Sequence, residues 1–162
     1  MERIIDVAQF IFEEYRKRTG CTINEMKLHK LLYFAQRESY AIMNEPLFEE
    51  KFEGWKYGPV CTVVRAKFSE ADGIVSNTQP VSDESAYILN NIIEQYGSYE
   101  SWALSKLTHK EISWQNSRKG LKDGENGDRE MLLSDIAEDA KKVCPYDSVW
   151  DMYYDEFEDG EA

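Results

Sequence analysis

Cysteine is scarce in this sequence and occurs in no close pair. The three cysteines, Cys21, Cys61 and Cys144, lie far apart and show no CxxC spacing. An odd number of widely separated cysteines favours neither a disulfide framework nor a zinc ribbon. We therefore expect a protein of a reducing compartment that binds no metal ion and no other cofactor.

Long apolar segments are also missing. No uncharged apolar run approaches the roughly 18 residues that cross a bilayer. The first residues, Met1-Glu2-Arg3-Ile4-Ile5, do not form the apolar region of a signal peptide. We therefore expect a cytoplasmic protein without a membrane partner.

Basic residues are outnumbered, with 19 Lys and Arg against 31 Asp and Glu and a net charge of -12. This charge repels phosphate backbones, so direct binding of nucleic acid is not predicted.

Residues 145–162 contain seven acidic residues, no Lys or Arg, and four aromatic residues at helical spacing. Such a segment is typical of chains that fold on a basic partner. Docking on its own domain is the alternative. We divide the chain into a domain of residues 1–144 and an acidic aromatic tail of residues 145–162, in which Trp150 and Phe157 are predicted to bind a partner.

Catalytic motifs are absent as well. The sequence contains no GxSxG, no HExxH and no phosphate-binding glycine loop. His109 and Glu111 are the one acid–base pair that can be imagined, but Thr108 and His109 fall at a predicted helix end, where they satisfy free backbone groups. We predict a protein that is not an enzyme and has no catalytic residues. An enzyme that uses His109 and Glu111 is the alternative.

The sequence does contain helical periodicity. Its 162 residues, of which 42% are hydrophobic, are enough to form one domain with a hydrophobic core. The clearest helices are predicted over residues 3–18, before Gly20, and from a capping box at Thr22 and Glu25 to Met43. Later helices are predicted to end at Gly97 and near His109, and a last one to start near Ser134. The predicted fold is mainly α: a compact helical bundle of about six helices with a short β-strand or hairpin between the second and third helices.

The segment between the second and third helices combines aromatic residues with glycine and proline. The period changes towards two from Phe48 to Tyr57, which predicts a strand. Because proline suits the first turn of a helix, Gly58-Pro59 predicts the start of a third helix, with an apolar stripe formed by Val60, Val63, Val64 and Phe68. The β-branched residues of this run leave a strand as the alternative.

This segment is also the main candidate binding site. Large rings held at the boundary of two elements have little conformational entropy to lose on binding. Packing of Trp55 and Tyr57 between the strand and the second helix is the alternative. Lys27, Lys30 and Arg37 lie on one side of the second helix and are predicted to form a solvated face, with contact to an acidic partner as the alternative. Together with Trp150 and Phe157, the predicted partner-binding residues are Trp55, Lys56, Tyr57, Gly58, Pro59 and Trp114.

Three motifs point to a known family. KLHKLLYFAQ (residues 27–36), EPLFEEKFEGWKYGPV (residues 45–60) and LSKLTHKEISW (residues 104–114) occur in order. Together they resemble the SocA-like family, also called the Panacea antitoxin domain, some members of which are described as phage-associated. The resemblance extends over about residues 5–143 and leaves out the acidic tail. The family often has Gln where His29 stands.

The resemblance implies a helical domain that binds a protein. It implies an antitoxin that neutralises a cognate toxin of a toxin–antitoxin system on a prophage or mobile element. In one branch of the family the domain is an adaptor that delivers its toxin to an ATP-dependent protease, and this proteolytic adaptor is the alternative function. The expected partners are therefore a toxin with a basic surface and, in the alternative, the protease.

Overall fold

Helices alternate with two short hairpins along the chain. The computed structural model describes residues 1–144. The predicted tail residues Trp150 and Phe157 lie outside the described residues. The described elements are α1 (Ile4–Thr19), α2 (Glu25–Met43), β1 (Glu53–Trp55), β2 (Gly58–Val60), α3 (Thr62–Lys67), β3 (Phe68–Ser69), β4 (Gly73–Ile74), α4 (Asp83–Tyr96), α5 (Ser101–His109), α6 (Ile112–Ser117) and α7 (Leu133–Ala140). The predicted mainly α fold, with a hairpin between the second and third helices, is confirmed.

The helix ends follow from local sequence signals. Gly20 closes α1 with a φ of 77°, a left-handed conformation that favours glycine. The start of α2 differs from the predicted capping box. Asn24, and not Thr22, is the N-cap, and its side-chain oxygen accepts a hydrogen bond of 2.8 Å from the backbone N–H of Lys27.

The α2 helix is the centre of the fold. Every residue from Lys27 to Ser39 is buried, because α1, α4, α5, α7 and β2 all pack against this helix. Aromatic rings fill the space between these elements. Phe34 stacks on Tyr96 with the ring centres 4.3 Å apart, and Phe52 meets the edges of Tyr33 and Phe48. None of the helices within residues 1–144 combines the length and the apolar character needed to cross a bilayer.

The predicted helix start at Gly58-Pro59 is wrong. These residues belong to β2, which pairs with β1 in an antiparallel hairpin, with Gly54 opposite Pro59 and Trp55 opposite Gly58. Proline has no N–H, a property that suits the outer edge of a strand as well as the first turn of a helix. The α3 helix begins at Thr62. Phe68, predicted on the stripe of that helix, lies in the second hairpin, where it pairs with Ile74.

The β1–β2 hairpin approaches α2 and α5 closely at Gly58. The backbone there has a φ of 119°, a conformation that side chains rarely tolerate. A Cβ atom at this position would lie 2.7 Å from Oγ1 of Thr108 and 2.8 Å from Cε of Lys30. Glycine is therefore required both for the turn of the chain and for the contact with the two helices.

Replacing Gly58 by Ala is expected to destabilise the protein more than the same change at Gly120. Gly120 also has a positive φ, 85°, but no atom lies within 4 Å of its Cβ position. Both variants carry backbone strain, and Gly58→Ala adds overpacking against Lys30 and Thr108, which costs about 1–3 kcal/mol more. Urea unfolding of the two variants measures the difference. Equal losses of stability would show that the hairpin is not pressed against the helices.

Candidate functional site

The hairpin β1–β2 covers a cleft of about 660 Å³, which we call the hairpin cleft. The first turns of α2 form its inner wall, α3 contributes Arg65 at the rim, and the loop before α7 closes the opposite side. A volume of this size is typical of ligand sites, which usually range over about 300–1,000 Å³. The lining residues are Glu25, Met26, His29, Lys30, Trp55, Lys56, Tyr57, Val60, Arg65, Asn126, Gly127 and Asp128.

The structure places three of the eight predicted binding residues, Trp55, Lys56 and Tyr57, at this cleft. Trp55 and Lys56 are half-buried and line it, and Tyr57 lines it with 55% of its surface exposed. Tyr57 is therefore not buried between the hairpin and α2, as the alternative interpretation required. Gly58 and Pro59 are buried in β2 and hold the hairpin against the helices.

The Trp55 ring is held by charged neighbours. Its indole N–H donates a hydrogen bond of 2.9 Å to the Glu53 carboxylate. The Arg65 guanidinium lies 5.2 Å from the centre of the ring and also pairs with Glu25 at 2.6 Å. This cation–π contact and ion pair connect the hairpin, α3 and the start of α2 around the rim of the cleft. Trp55 therefore presents a fixed apolar surface to the cleft.

Trp114 lies behind the hairpin and not in the cleft. Its ring is 8% exposed, and its indole N–H donates a hydrogen bond of 2.8 Å to the backbone oxygen of Trp55. The His109 ring stacks on it at 4.1 Å, and the Arg118 guanidinium lies 5.2 Å from its centre. In this position Trp114 supports the hairpin from the core side. Direct binding of a partner by Trp114 stays a prediction.

His109 and Glu111 have different partners. Burial lowers the pKa of His109, with Lys30 and Arg118 adding to the effect. Glu111 forms an ion pair with Arg37 and accepts a hydrogen bond of 3.0 Å from the Tyr33 hydroxyl, and burial raises its pKa. Neither residue lines the hairpin cleft, and the described contacts include no hydrogen bond between their side chains.

The predicted solvated face of α2 is wrong, because its three cations are buried. Lys27 donates a hydrogen bond of 2.8 Å to the backbone oxygen of Gly97 at the end of α4. Arg37 pairs with Glu111 and donates to the Tyr96 hydroxyl. A buried charge is tolerated only when polar groups surround it, and these partners come from segments far along the chain. The fractional exposures of Lys27, Lys30 and Arg37 are 7%, 1% and 7%.

Lys30, the third cation, differs from the other two. It lines the cleft, and the one hydrogen bond that its ammonium makes within residues 1–144 reaches the backbone oxygen of Pro59 at 3.4 Å. An ammonium carries three N–H donors. Burial lowers the pKa of Lys30 to about 8, and the negative charge of Glu25 opposes this effect only in part. The cleft therefore contains a buried cation whose hydrogen-bonding capacity is largely unused.

His29 stands beside Lys30 with both of its ring nitrogens engaged. Nδ1 accepts a hydrogen bond of 3.2 Å from the backbone N–H of Cys61, which leaves the proton on Nε2, 3.4 Å from the Glu25 carboxylate. Burial lowers the pKa of His29, and the hydrogen bond from His29 is the main cause of the lowered pKa of Glu25. The imidazole thus acts as a neutral connector between the hairpin segment and α2.

The three cysteines do not form a metal site with neighbouring side chains in the described part of the chain. Cys21 and Cys144 are exposed, whereas Cys61, which follows β2 directly, is buried. Within the described part of the chain, no three Cys, His, Asp or Glu side chains are close enough to hold a metal ion.

A family model described as "Antitoxin SocA-like, Panacea domain" matches residues 28–115. The match confirms the resemblance that the three sequence motifs indicated. It includes α2 from its second turn, the whole β1–β2 hairpin and α3 to α5, and therefore most of the hairpin cleft. No curated protein and no solved structure matches the chain.

Replacing Lys30 by Met is expected to stabilise the protein at neutral pH. The folded pKa of about 8 lies below the value of 10.5 for an unfolded chain, so folding is opposed wherever the lysine is charged in both states. Methionine fills similar volume without a charge, and we expect a gain on the order of 1–3 kcal/mol.

The sign of the pH dependence provides a second check. The stability of the natural protein should rise relative to Lys30→Met between about pH 8 and pH 10.5, because the unfolded chain binds more protons there. Lys17→Met, at a side chain that is 79% exposed, is the matched control and should change stability by no more than about 0.5 kcal/mol. Chemical unfolding across this pH range measures both effects. A destabilised Lys30→Met variant would contradict the description of Lys30 as a buried, poorly paired cation.

Proposed function

We propose that this chain, which belongs to the antitoxin SocA-like, Panacea domain family, is an antitoxin that binds and neutralises a cognate protein toxin. The observation that carries the proposal is the family match over residues 28–115, which supports an antitoxin-like role for the domain. The toxin is the product of the same genetic element, a prophage or other mobile element. The activity takes place in the cytoplasm and needs no cofactor and no catalytic residue.

We assign toxin binding first to the hairpin cleft. Interfaces gain most of their binding energy from a few aromatic and arginine side chains placed in desolvated pockets. Tyr57 is 55% exposed at the mouth of the cleft, and Trp55 and Arg65 form a fixed pair beside it. Because the hairpin is held by buried contacts on its inner side, its outer side can bind without a large loss of conformational entropy.

The family branch that acts through proteolysis gives the alternative function. An adaptor shortens the lifetime of its partner only when an ATP-dependent protease is present, whereas an antitoxin that neutralises by complex formation leaves the partner intact. Measuring the half-life of the toxin with and without the chain, in cells that have or lack the protease, separates the two functions.

The proposal is tested with the open reading frame that lies next to the gene for this chain. Its product should arrest growth when expressed alone, and co-expression of this chain should restore growth and give a complex that purifies as one species. A neighbour that is harmless when expressed alone, or that does not bind this chain, would contradict the proposal.

Tyr57→Ala is expected to weaken toxin binding by about 2 kcal/mol or more, because exposed aromatic residues at interfaces often dominate affinity. Stability should change by less than about 0.5 kcal/mol, since the ring is largely exposed. The matched control is Tyr87→Ala on α4, where the side chain is 47% exposed. Calorimetric titration and unfolding are measured on the same samples. If Tyr87→Ala weakens binding and Tyr57→Ala does not, the toxin binds elsewhere.

Deletion of residues 145–162 is expected to slow association with the toxin, because the tail contributes seven carboxylates and no cation. The lost rate should be the salt-sensitive part, since a Debye length of about 8 Å at physiological salt screens such attraction. Replacing only Trp150 and Phe157 by Ala should instead speed dissociation and leave the salt dependence unchanged. Association and dissociation rates at low and high salt measure both effects. Equal rates for the truncated and full chains would exclude the tail from recognition.

A further inference from the structure

Lys30 is the feature of the hairpin cleft that the packing of the domain does not explain. Its side chain is 1% exposed, and among residues 1–144 its ammonium finds one hydrogen-bond partner, the backbone oxygen of Pro59 at 3.4 Å. An unpaired buried charge is strongly destabilising, and an apolar side chain of the same size would fill the space at lower cost. The other two buried cations of α2 each have partners at 3.0 Å or less.

The charges around Lys30 compensate its cation only in part. Of the two acidic residues that line the cleft in the described part of the chain, Glu25 is already engaged by His29 and by Arg65, and Asp128 lies in the loop on the opposite side. Lys56 and Arg65 bring two further cations to the rim. In a chain with a net charge of -12, this cleft is therefore a place where a negatively charged group finds complementary charge.

The uncharged part of the wall lies beside these cations. Met26, Trp55 and Val60 line the same cleft, and the Trp55 ring is fixed by Glu53 and Arg65. A ligand that suits this wall carries an anionic group and an apolar group a few bonds apart. The last residue of a polypeptide has this form, because its free carboxylate and its side chain are attached to the same Cα atom.

We propose that the hairpin cleft binds the C-terminal residue of a partner polypeptide, whose carboxylate accepts hydrogen bonds from the Lys30 ammonium and whose apolar side chain lies against Met26, Trp55 and Val60. The inference rests on the proposed function, because the partner polypeptide whose C-terminal residue binds is taken to be the toxin. A cleft of about 660 Å³ has room for more than one residue, so the preceding residues contact the rim at Lys56 and Tyr57.

Binding of a carboxylate to Lys30 has a pH signature. The free amine cannot pair with a carboxylate, so affinity should fall as the pH rises above about 8, where Lys30 loses its proton in the unbound protein. The charged and titratable groups that face Lys30 from the surrounding elements are Glu25 and His29 on α2, Lys56 and Tyr57 on the hairpin, Arg65 on α3, Asp128 in the loop and His109 on α5. The same titration on Lys30→Met separates the contribution of Lys30 from theirs.

The test uses two peptides on the full chain. The probe is an acetylated hexapeptide of glycine and serine that ends in phenylalanine with a free carboxylate, and its control is the same peptide with a C-terminal amide. Binding is followed by NMR through the indole N–H of Trp55 and the backbone N–H groups of the hairpin. The free acid should bind with a dissociation constant of roughly 0.1–1 mM, as expected for a small ligand, and the amide at least about tenfold more weakly.

Variants assign the binding to Lys30. Lys30→Met should bind the acid and the amide equally weakly, and Lys17→Met should retain the preference of the natural protein. Affinity of the natural protein for the acid should fall about tenfold between about pH 7 and pH 9, and that of Lys30→Met should not. Chemical unfolding of Lys30→Met, measured on the same samples, separates loss of binding from loss of the fold.

Any one of four results would overturn the inference. Equal binding of the acid and the amide, or no binding of either, would exclude recognition of a carboxylate. An unchanged preference in Lys30→Met would exclude Lys30. Binding of N-acetylphenylalanine as tight as that of the hexapeptide would indicate a site for small acids rather than for a chain end. None of these measurements contains the toxin, so failure here leaves the Tyr57 experiment as an independent test of the proposed function.

Discussion

A helix that is buried at every position from Lys27 to Ser39 cannot leave its polar side chains to water. Each must find a partner on another element, because an unsatisfied buried polar group costs about 1–3 kcal/mol. Gln36 illustrates the result. Its amide donates to the backbone oxygen of Phe48 and accepts from the N–H of Leu47, at 2.9 and 2.7 Å, so one side chain fixes the segment that leads into the hairpin. The other polar side chains of α2 with partners outside the helix include Lys27, His29, Lys30, Tyr33, Arg37 and Ser39.

This constraint places the cleft. Because the His29 side chain accepts a hydrogen bond from the backbone N–H of Cys61, the end of strand β2 is held close to the start of α2. Gly58 permits the approach, since any larger residue would collide with Lys30 and Thr108. The hairpin therefore extends over the inner wall formed by α2 and leaves a space between them. The burial of α2 thus has two results. It produces the buried polar contacts that stabilise the fold, and it produces the cleft that is available for binding.

Sequence patterns that depend on neighbouring residues predicted most of the fold. The α1 helix, the end of α4 at Gly97 and the position of the hairpin follow from local periodicity and glycine signals. These local patterns did not predict which residues that are distant along the chain pair with each other. Gly58-Pro59 suits a helix start and a strand edge alike, and only the pairing with β1 decides between them. Three cations on one side of a helix in an acidic chain favour a solvated face, but the apolar run Leu31-Leu32-Tyr33-Phe34-Ala35 covers all sides of the helix and indicates burial on every face.

One wall of the cleft lies beyond the C-terminal end of the family match. Asn126, Gly127 and Asp128 lie beyond residue 115, where the family match ends. Their loop is joined to the hairpin through Arg118, which bonds both Gly54 and Glu125, and through the backbone of Arg129. Surface loops tolerate changes of sequence and length far better than buried helices do. A change in the sequence or length of this loop would therefore reshape one wall of the cleft and leave α2 and the hairpin intact.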